Sequence, residues 1–171
     1  MHTFQPYPLN MFELDPFTKI GEEWMLVTSG TPEKANALTA SWGGLGYLWG
    51  KNVAFIFIRD SRYTKEFIDS NDTFSLTFFD SKYKNDLKYF GAVSGRQENK
   101  FEVSGLHLND YEGIPFVDEG NLAFICKKMA VVPIDQENFI DHSIDSKWYS
   151  GANAGDYHTM YIGEITQILA R

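Results

Sequence analysis

Apolar residues in this sequence mostly alternate with polar ones or gather in short runs, and both patterns are typical of β-strands. The run at 52–59 is rich in Val, Ile and Phe without alternation. Such a run predicts a strand that is covered on both faces. The predicted strands are 23–29, 35–42, 52–59, 74–79, 121–134 and 157–169.

Apolar residues at helical spacing predict two helices. The first covers 63–70, where Ser61 or Thr64 is available as the N-terminal cap. The second covers 82–92, where aromatic residues and a leucine recur on one face. The stretch 1–22 is predicted to be an irregular arm and 43–46 to be flexible. The stretch 93–120 is predicted to be mostly loop, and 135–155 to be a polar connection that carries aromatic residues.

Strands with short inserted helices predict a mostly β fold, a small barrel, rather than a parallel α/β sheet. A parallel sheet needs regular crossover helices, and the pattern does not supply them. The alternation along the strands is compatible with closure into a barrel. A length of 171 residues fits one domain over 1–171, in which 1–22 forms an irregular N-terminal arm.

Composition and charge narrow the class of protein. Hydrophobic residues make up 43% and aromatic residues 16%, which predicts an aromatic core and is compatible with a buried subunit interface. The net charge of -8 argues against a nucleic-acid or anionic-membrane surface. No apolar run is long enough to span a bilayer.

The expected location is the cytoplasm. Cys126 is the single cysteine, so no internal disulfide can form, which fits a reducing compartment. The N-terminal residues lack the basic and apolar regions of a signal peptide. Within its predicted strand, Cys126 is expected to be buried and inert.

Arginine and hydroxyl side chains gather where the apolar strand 52–59 gives way to the first helix. They are Arg59, Ser61, Arg62, Tyr63 and Thr64. Arginines and hydroxyls donate charge-assisted hydrogen bonds to a phosphate, and a helix N-terminus adds backbone N–H groups. The same residues are also typical of an ordinary charged helix start.

The segment 36–42 alternates small or hydroxyl side chains with apolar ones, so as a strand it turns polar donors to one face. Beside a phosphate-binding helix start, this strand predicts a site for a flat, polar, phosphorylated ligand such as flavin mononucleotide (FMN). The alternative is a half-exposed strand whose Thr39 and Ser41 face water.

A third candidate lies in the segment 94–100. Gly95 allows the backbone to approach a ligand closely, while Arg96 and Lys100 bring positive charge. A solvated loop after a helix explains the same residues.

His158, in the last predicted strand, is a candidate for proton transfer or hydrogen bonding in a ring pocket. A structural histidine is the alternative. The spacing of the histidines and the single cysteine supports no metal site. The sequence also lacks the glycine and nucleophile motifs of dinucleotide-binding, P-loop and α/β-hydrolase folds.

Taken together, the segments 36–44, 59–64, 94–100 and 157–164 resemble the flavin reductase-like, flavoredoxin-like FMN-binding proteins. The resemblance extends from Phe17 to the C-terminus. It implies an FMN-binding split barrel, usually a homodimer, with FMN near the subunit interface. In two places the sequence departs from the family: Leu38 stands where Met is more frequent, and Ser61 occupies a variable position.

The resemblance also implies roles for individual residues. The residues implied to line the flavin ring are Asn36, Ala37, Leu38, Thr39, Ala40, Ser41 and Trp42. Those implied to hold the phosphate are Arg59, Ser61, Arg62, Tyr63 and Thr64. Gly95, Arg96 and Lys100 are expected to close over the cofactor, and His158 to lie near the ring or the substrate as a catalytic candidate.

The function implied is an FMN-dependent oxidoreductase that uses NADH or NADPH to reduce flavin or another small-molecule acceptor. Hydride transfer at the flavin requires orientation and hydrogen bonds rather than a catalytic dyad. Two alternatives remain at this point. One is a non-catalytic electron carrier that serves a redox protein partner, and the other is a flavin-free binding module.

Overall fold

A computed structural model describes residues 3–171, so the first two residues of the predicted arm lie outside it. Its strands are β1 Gln5–Tyr7, β2 Met25–Thr31, β3 Lys34–Ala40, β4 Gly43–Leu48, β5 Lys51–Arg59, β6 Thr73–Phe78, β7 Leu108–Tyr111, β8 Ile114–Val117, β9 Leu122–Pro133 and β10 His158–Ala170. Its α-helices are α1 Tyr63–Ser70, α2 Lys84–Ala92, α3 Lys100–Ser104 and α4 Ser143–Trp148. A π-helix covers Phe17–Glu23. Across residues 3–171, no helix has the length and apolarity needed to cross a bilayer.

One antiparallel sheet runs in the order β3-β2-β6-β9-β10-β5-β4, and β1 adds to the free part of β10. β3 and β4 lie at opposite ends of this order, although only Ser41 and Trp42 separate them in the chain. A connection this short forces the sheet to curl until its two ends meet, and we refer to this junction as the seam. The predicted mostly β barrel with inserted short helices is confirmed.

Two hydrophobic clusters fix the position of the seam. Inside the barrel, β-strand side chains such as Ile56, Phe74 and Tyr161 are fully buried. On the outside, α2 packs against β2 and β3 through Leu87 and Phe90. This second cluster holds the C-terminal end of α2 beside β3, and both elements border the candidate site.

Local patterns predicted most strands and both long helices within a few residues. The helix at 63–70 has the predicted bounds, but its capping prediction is wrong. Arg62 occupies the N-cap and makes no side-chain capping bond. Ser61 bonds to Asp156 instead, and Thr64 accepts a bond from Asn36.

The predictions of an irregular arm at 1–22 and a flexible stretch at 43–46 are wrong, and the loop at 93–120 and the connection at 135–155 contain short regular elements. The arm 1–22 contributes β1, which pairs with β10, and most of the π-helix. The glycine-rich stretch 43–46 belongs to β4, where a side chain at Gly43 would lie 2.7 Å from the carbonyl oxygen of Phe55. The 93–120 stretch contains α3 and the β7–β8 hairpin, and 135–155 contains α4.

Candidate functional site

A pocket of about 220 Å³ opens beside the seam, where the ends of β3 and β5 meet the start of β10. We refer to it as the seam pocket. Its lining residues are Leu38, Thr39, Ala40, Ser41, Trp42, Phe57, Ile58, Arg59, Arg62, Gly91, Trp148 and His158. Most of this lining is apolar or small, and its charged members are arginines. The pocket therefore suits a flat, uncharged or anionic group.

A second pocket, of about 260 Å³, lies at the start of α1. Its lining residues are Asn36, Ser61, Arg62, Tyr63, Thr64, Ala92, Val93, Ser94, Gly95, Arg96 and Lys100. Three of these side chains are cationic, so we refer to it as the cationic pocket. Arg62 lines both pockets, and the two spaces therefore adjoin.

Arg62 and Lys100 share one anchoring point, the last turn of α2. Arg62 donates to the carbonyl oxygens of Gly91 at 3.0 Å and Phe90 at 3.4 Å. Lys100 donates to the Phe90 carbonyl oxygen at 3.0 Å and is only 2% exposed. Carbonyls at a helix C-terminus attract cations, which explains this convergence. Neither side chain forms an ion pair with a carboxylate of residues 3–171.

The absence of a carboxylate partner leaves these two charges poorly compensated. Burial lowers the pKa of Lys100 to about 8, and the neighbouring positive charge of Arg62 contributes to the shift. Burial also lowers the pKa of Arg62, while the more distant Asp156 partly opposes that change. Buried cations of this kind are stabilised when an anion binds beside them.

Gly95 closes the cationic pocket at very short range. A side chain at this position would lie 2.3 Å from Oδ1 of Asn36 and 3.0 Å from the Tyr63 ring. Asn36 in turn donates to the Thr64 hydroxyl at 2.8 Å, which ties β3 to α1. Only glycine permits the loop after α2 to pass this close.

Arg96 lies at the rim of the cationic pocket. It donates to the Ser61 carbonyl oxygen at 3.1 Å, stacks over the Tyr63 ring and forms an ion pair with Glu66. The ion pair spans an exposed surface, so Arg96 remains able to exchange Glu66 for another anion.

Arg59 and Ser61 hold the segment 148–157 over the seam pocket. Arg59 donates to the carbonyl oxygens of Asp156 at 2.8 Å and Trp148 at 3.1 Å. The Ser61 hydroxyl donates to the Asp156 carboxylate at 2.6 Å. These bonds bring the Trp148 ring to 4.9 Å from Trp42, centroid to centroid, so that two indoles flank the pocket.

His158 lines the seam pocket beside Trp42. Its Nδ1 lies 2.5 Å from the Tyr149 hydroxyl, and its ring centroid lies 5.0 Å from that of Trp42. Burial, and then the positive charge of Arg59, lower the pKa of His158 to about 4. The imidazole is therefore neutral at physiological pH.

The structure brings together every predicted site residue except Ala37, which lines neither pocket. Ala37 is fully buried in the cluster under α2. The remaining residues separate into the two pockets, with Arg59 beside the ring-sized space and Ser61 to Thr64 around the cations.

Sequence reasoning missed part of both linings. In the seam pocket the missed residues are Phe57, Ile58, Gly91 and Trp148, and in the cationic pocket they are Ala92 and Val93. A tryptophan inside the polar stretch 135–155 was the available signal for Trp148. No group of metal-binding side chains large enough to hold an ion occurs among residues 3–171.

Comparison with solved structures supports the architecture. The FMN-binding domain of a flavin reductases-like enzyme from Shewanella baltica OS155 has a TM-score of 0.69 at 16% identity, covering 98% of this chain and 76% of that one. Flavoredoxin of Desulfovibrio vulgaris (Miyazaki F) has a TM-score of 0.67 at 21% identity, covering 96% and 76%. The NADH:FAD oxidoreductase SgcE6 of Streptomyces globisporus C-1027 has a TM-score of 0.62 at 15% identity, covering 87% and 75%.

At these identities the structures share the fold with this chain. A comparison with curated proteins gives no match. Among protein families, the model described as "Flavin reductase like domain" matches residues 17–171, which is nearly the whole chain and includes both pockets. The chain therefore belongs to the flavin reductase-like domain family.

Proposed function

We propose that this protein binds FMN across the seam pocket and the cationic pocket, and uses NADH or NADPH to reduce a flavin or another small acceptor. The observation that carries this proposal is the pair Arg62 and Lys100. Within residues 3–171 neither cation has a carboxylate partner, and both line the cationic pocket, which adjoins the ring-sized seam pocket. FMN likewise joins a dianionic phosphate to a flat ring. Family membership supplies the chemical context.

The residues present fit FMN at its phosphate end. A phosphate would compensate the charges of Arg62 and Lys100, whose side-chain hydrogen bonds within residues 3–171 all go to carbonyl oxygens. The exposed Arg96 and the hydroxyl of Thr64 supply further donors. Charge-assisted bonds to phosphate oxygens are about twice as strong as neutral ones, so this end anchors the ligand.

The residues also fit the ring end. The last residues of β3 bring small side chains, Ala40 and Ser41, next to the aromatic Trp42. Small side chains allow a flat ring to approach the strand backbone, whose amide groups are hydrogen-bond donors and acceptors. In this arrangement Asn36 is the border between ring and phosphate, because it lines the cationic pocket from β3.

When bound, FMN supplies a ring that accepts a hydride and passes electrons onward. The chain's own residues hold and shield it. Trp42 and Trp148 flank the space, and the bonds from Arg59 keep the 148–157 segment over it, which limits the access of water. Neutral His158 offers a hydrogen bond rather than a charge.

A second candidate is a flavoredoxin-like electron carrier that takes electrons from a redox protein. The net charge of -8 favours it, because an acidic surface promotes transient docking to a basic partner. The two candidates differ in one measurement, the oxidation of NADH or NADPH by the FMN-loaded protein above the rate of free FMN. Turnover favours the oxidoreductase. Reduction by a ferredoxin-like donor without nicotinamide turnover favours the carrier.

Cofactor binding is tested by the visible absorption spectrum of protein purified without added flavin, followed by heat release and titration with FMN. Lys100→Gln should weaken FMN binding by about 10- to 100-fold, because it removes a charged hydrogen bond to phosphate. Lys128→Gln is the matched control, since Lys128 donates to the Ile68 carbonyl oxygen of α1 as Lys100 does to that of α2.

Three outcomes are informative. FMN released in near-equal ratio to the chain supports a bound cofactor. Weak binding of added FMN by a colourless protein favours flavin as a substrate of a reductase. Failure to bind FMN, or equal affinities of the two lysine variants, contradicts the proposed site.

We also propose that the protein is a homodimer. Tyr47 and Trp49 are 74% and 58% exposed on and next to β4, the strand at one end of the sheet order. Large aromatic side chains on an edge strand are expected to be covered by a partner. A second copy of the chain is the partner that accounts for them here.

A further inference from the structure

We propose that Tyr149 is a positioning residue that fixes the tautomer of His158, so that His158 presents an Nε2–H donor to a carbonyl oxygen of a ring bound in the seam pocket. The hydrogen bond from His158 to the ligand rests on the proposed function, whereas the tautomer of His158 is a property of the protein without a ligand. Tyr149 lies outside the pocket lining and acts through His158.

The first step is the direction of the bond between Tyr149 and His158. The hydroxyl oxygen lies 2.5 Å from Nδ1, so a hydrogen bond joins the two atoms and one of them is its donor. Burial raises the pKa of Tyr149, which keeps the phenol protonated. Within residues 3–171, Nδ1 is the acceptor that lies within hydrogen-bond distance of this buried hydroxyl, and a buried phenol proton left without an acceptor would cost free energy. Tyr149 is therefore the donor and Nδ1 the acceptor.

The second step is the protonation state of His158. The charged groups around it are Arg59 on β5, which disfavours a positive imidazole, and Asp60 and Asp156, which favour one. Burial outweighs the two carboxylates and lowers the pKa of His158 to about 4. A neutral imidazole has one N–H, and with Nδ1 acting as acceptor that proton lies on Nε2.

The third step is the availability of Nε2. His158 lines the seam pocket and is 8% exposed. Within residues 3–171, Nε2 has no hydrogen-bond partner. It is also not one of the fully buried unpaired polar atoms, so it remains accessible from the pocket. Because the Nδ1 side is occupied by Tyr149, the Nε2–H is the donor left for a ligand. A neutral donor near Arg59 and Arg62 suits an electron-rich carbonyl oxygen.

The Tyr149 side chain is held rigidly enough for this role. Phe139 stacks on it at 5.6 Å and Tyr157 packs against it at 4.7 Å, centroid to centroid. The Arg59 guanidinium lies 5.1 Å from its ring centroid. Tyr157 is fixed in turn by a 2.7 Å hydrogen bond to Asp145. A donor held on several sides does not need to be ordered when the ligand binds.

The test is ¹⁵N NMR of the histidine ring in ligand-free protein, followed by FMN titration. Wild type should show a protonated Nε2 and an unprotonated Nδ1 at pH 7. Tyr149→Phe keeps the ring but removes the donor, so Nδ1 should gain protonation and the titration midpoint of His158 should rise. Tyr161→Phe is the matched control, because its hydroxyl bonds to Asp69 and the residue lines neither pocket.

FMN affinity gives the second readout. Tyr149→Phe should weaken binding by about 3- to 10-fold, the effect of one neutral hydrogen bond, while Tyr161→Phe should match wild type. A protonated Nδ1 in wild type overturns the proposal even if Tyr149→Phe does not fold. An unchanged tautomer in Tyr149→Phe, or a changed tautomer with unchanged FMN affinity, overturns it as well. A protein with the expected tautomer that binds no FMN contradicts the proposed function and supports the positioning of His158.

Discussion

At the scale of single residues, Lys100 illustrates how a fold can favour anion binding by burying a cation without a carboxylate partner among residues 3–171. Its ammonium group is buried beside Arg62, donates to the Phe90 carbonyl oxygen, lies over the Phe90 ring and has no carboxylate partner within residues 3–171. The pKa near 8 means that the unfolded chain, with its ordinary Lys pKa, binds the proton more tightly. The free energy of unfolding therefore rises as pH increases through the range from 8 towards 10.5.

The same shift predicts how FMN binding depends on pH. A phosphate dianion favours protonated Lys100, so affinity should be full below pH 8 and fall as pH rises above it. The phosphate itself titrates at a pKa of about 6 and stays dianionic in this range. Dissociation constants from pH 7 to 9.5, measured by flavin fluorescence, check this. Lys100→Gln should flatten the profile and Lys128→Gln should not, and a flat wild-type profile would contradict the assignment.

At the scale of elements, the cationic pocket depends on the close passage of the loop after α2 over β3. Asn36 connects β3 to α1 at the point where Gly95 crosses it. Three segments that are distant in the chain therefore share one contact. A change in the loop is expected to alter the pocket and the packing of β3 together.

Gly95→Ala tests this crossing. The added carbon would lie 2.3 Å from Oδ1 of Asn36, so the loop or Asn36 must move. We expect the free energy of unfolding to fall by about 1–3 kcal/mol, the usual cost of overpacking, and FMN binding to weaken. Gly21→Ala is the control, because no atom outside its own helix lies within 4 Å of its added carbon. Equal denaturant midpoints for the two variants would argue against the crossing.

Elements with local signals could be predicted from the sequence, and elements that depend on distant partners could not. The α1 helix has the predicted bounds because its capping region and apolar spacing lie within the segment. The sequence of β4 predicts a flexible glycine stretch, because the reason for its glycines, the close approach of the Phe55 backbone, is visible only in the fold. β1 has three residues, and its partner β10 lies at the other end of the sequence.

The site follows the same division. The proposed phosphate-binding motif at 59–64 and the β3 segment are each one continuous stretch of sequence, so the sequence alone identifies both as candidates. Trp148 reaches the seam pocket only because Arg59 and Ser61 hold the segment that carries it. No fixed spacing in the sequence encodes that contact.

At the scale of the whole molecule, the exposed aromatic residues of β4 predict a dimer. Light scattering should give twice the mass of one chain. Replacing both Tyr47 and Trp49 by Lys should shift the protein towards the monomer, because charged side chains on an edge strand oppose pairing. Val103→Lys is the control, since Val103 is an exposed apolar residue on α3. A monomeric wild type would exclude this interface.

The strand order also determines when this protein can complete its fold during synthesis. β10 lies between β9 and β5, and it alone joins the β3-β2-β6-β9 group to the β5–β4 hairpin. Until β10 leaves the ribosome, these two groups have no shared strand, although both have already been made. Pairings between such distant segments form slowly and expose strand edges meanwhile. The seam pocket, which needs β3, β5 and β10, is therefore assembled only after the chain has been made through β10.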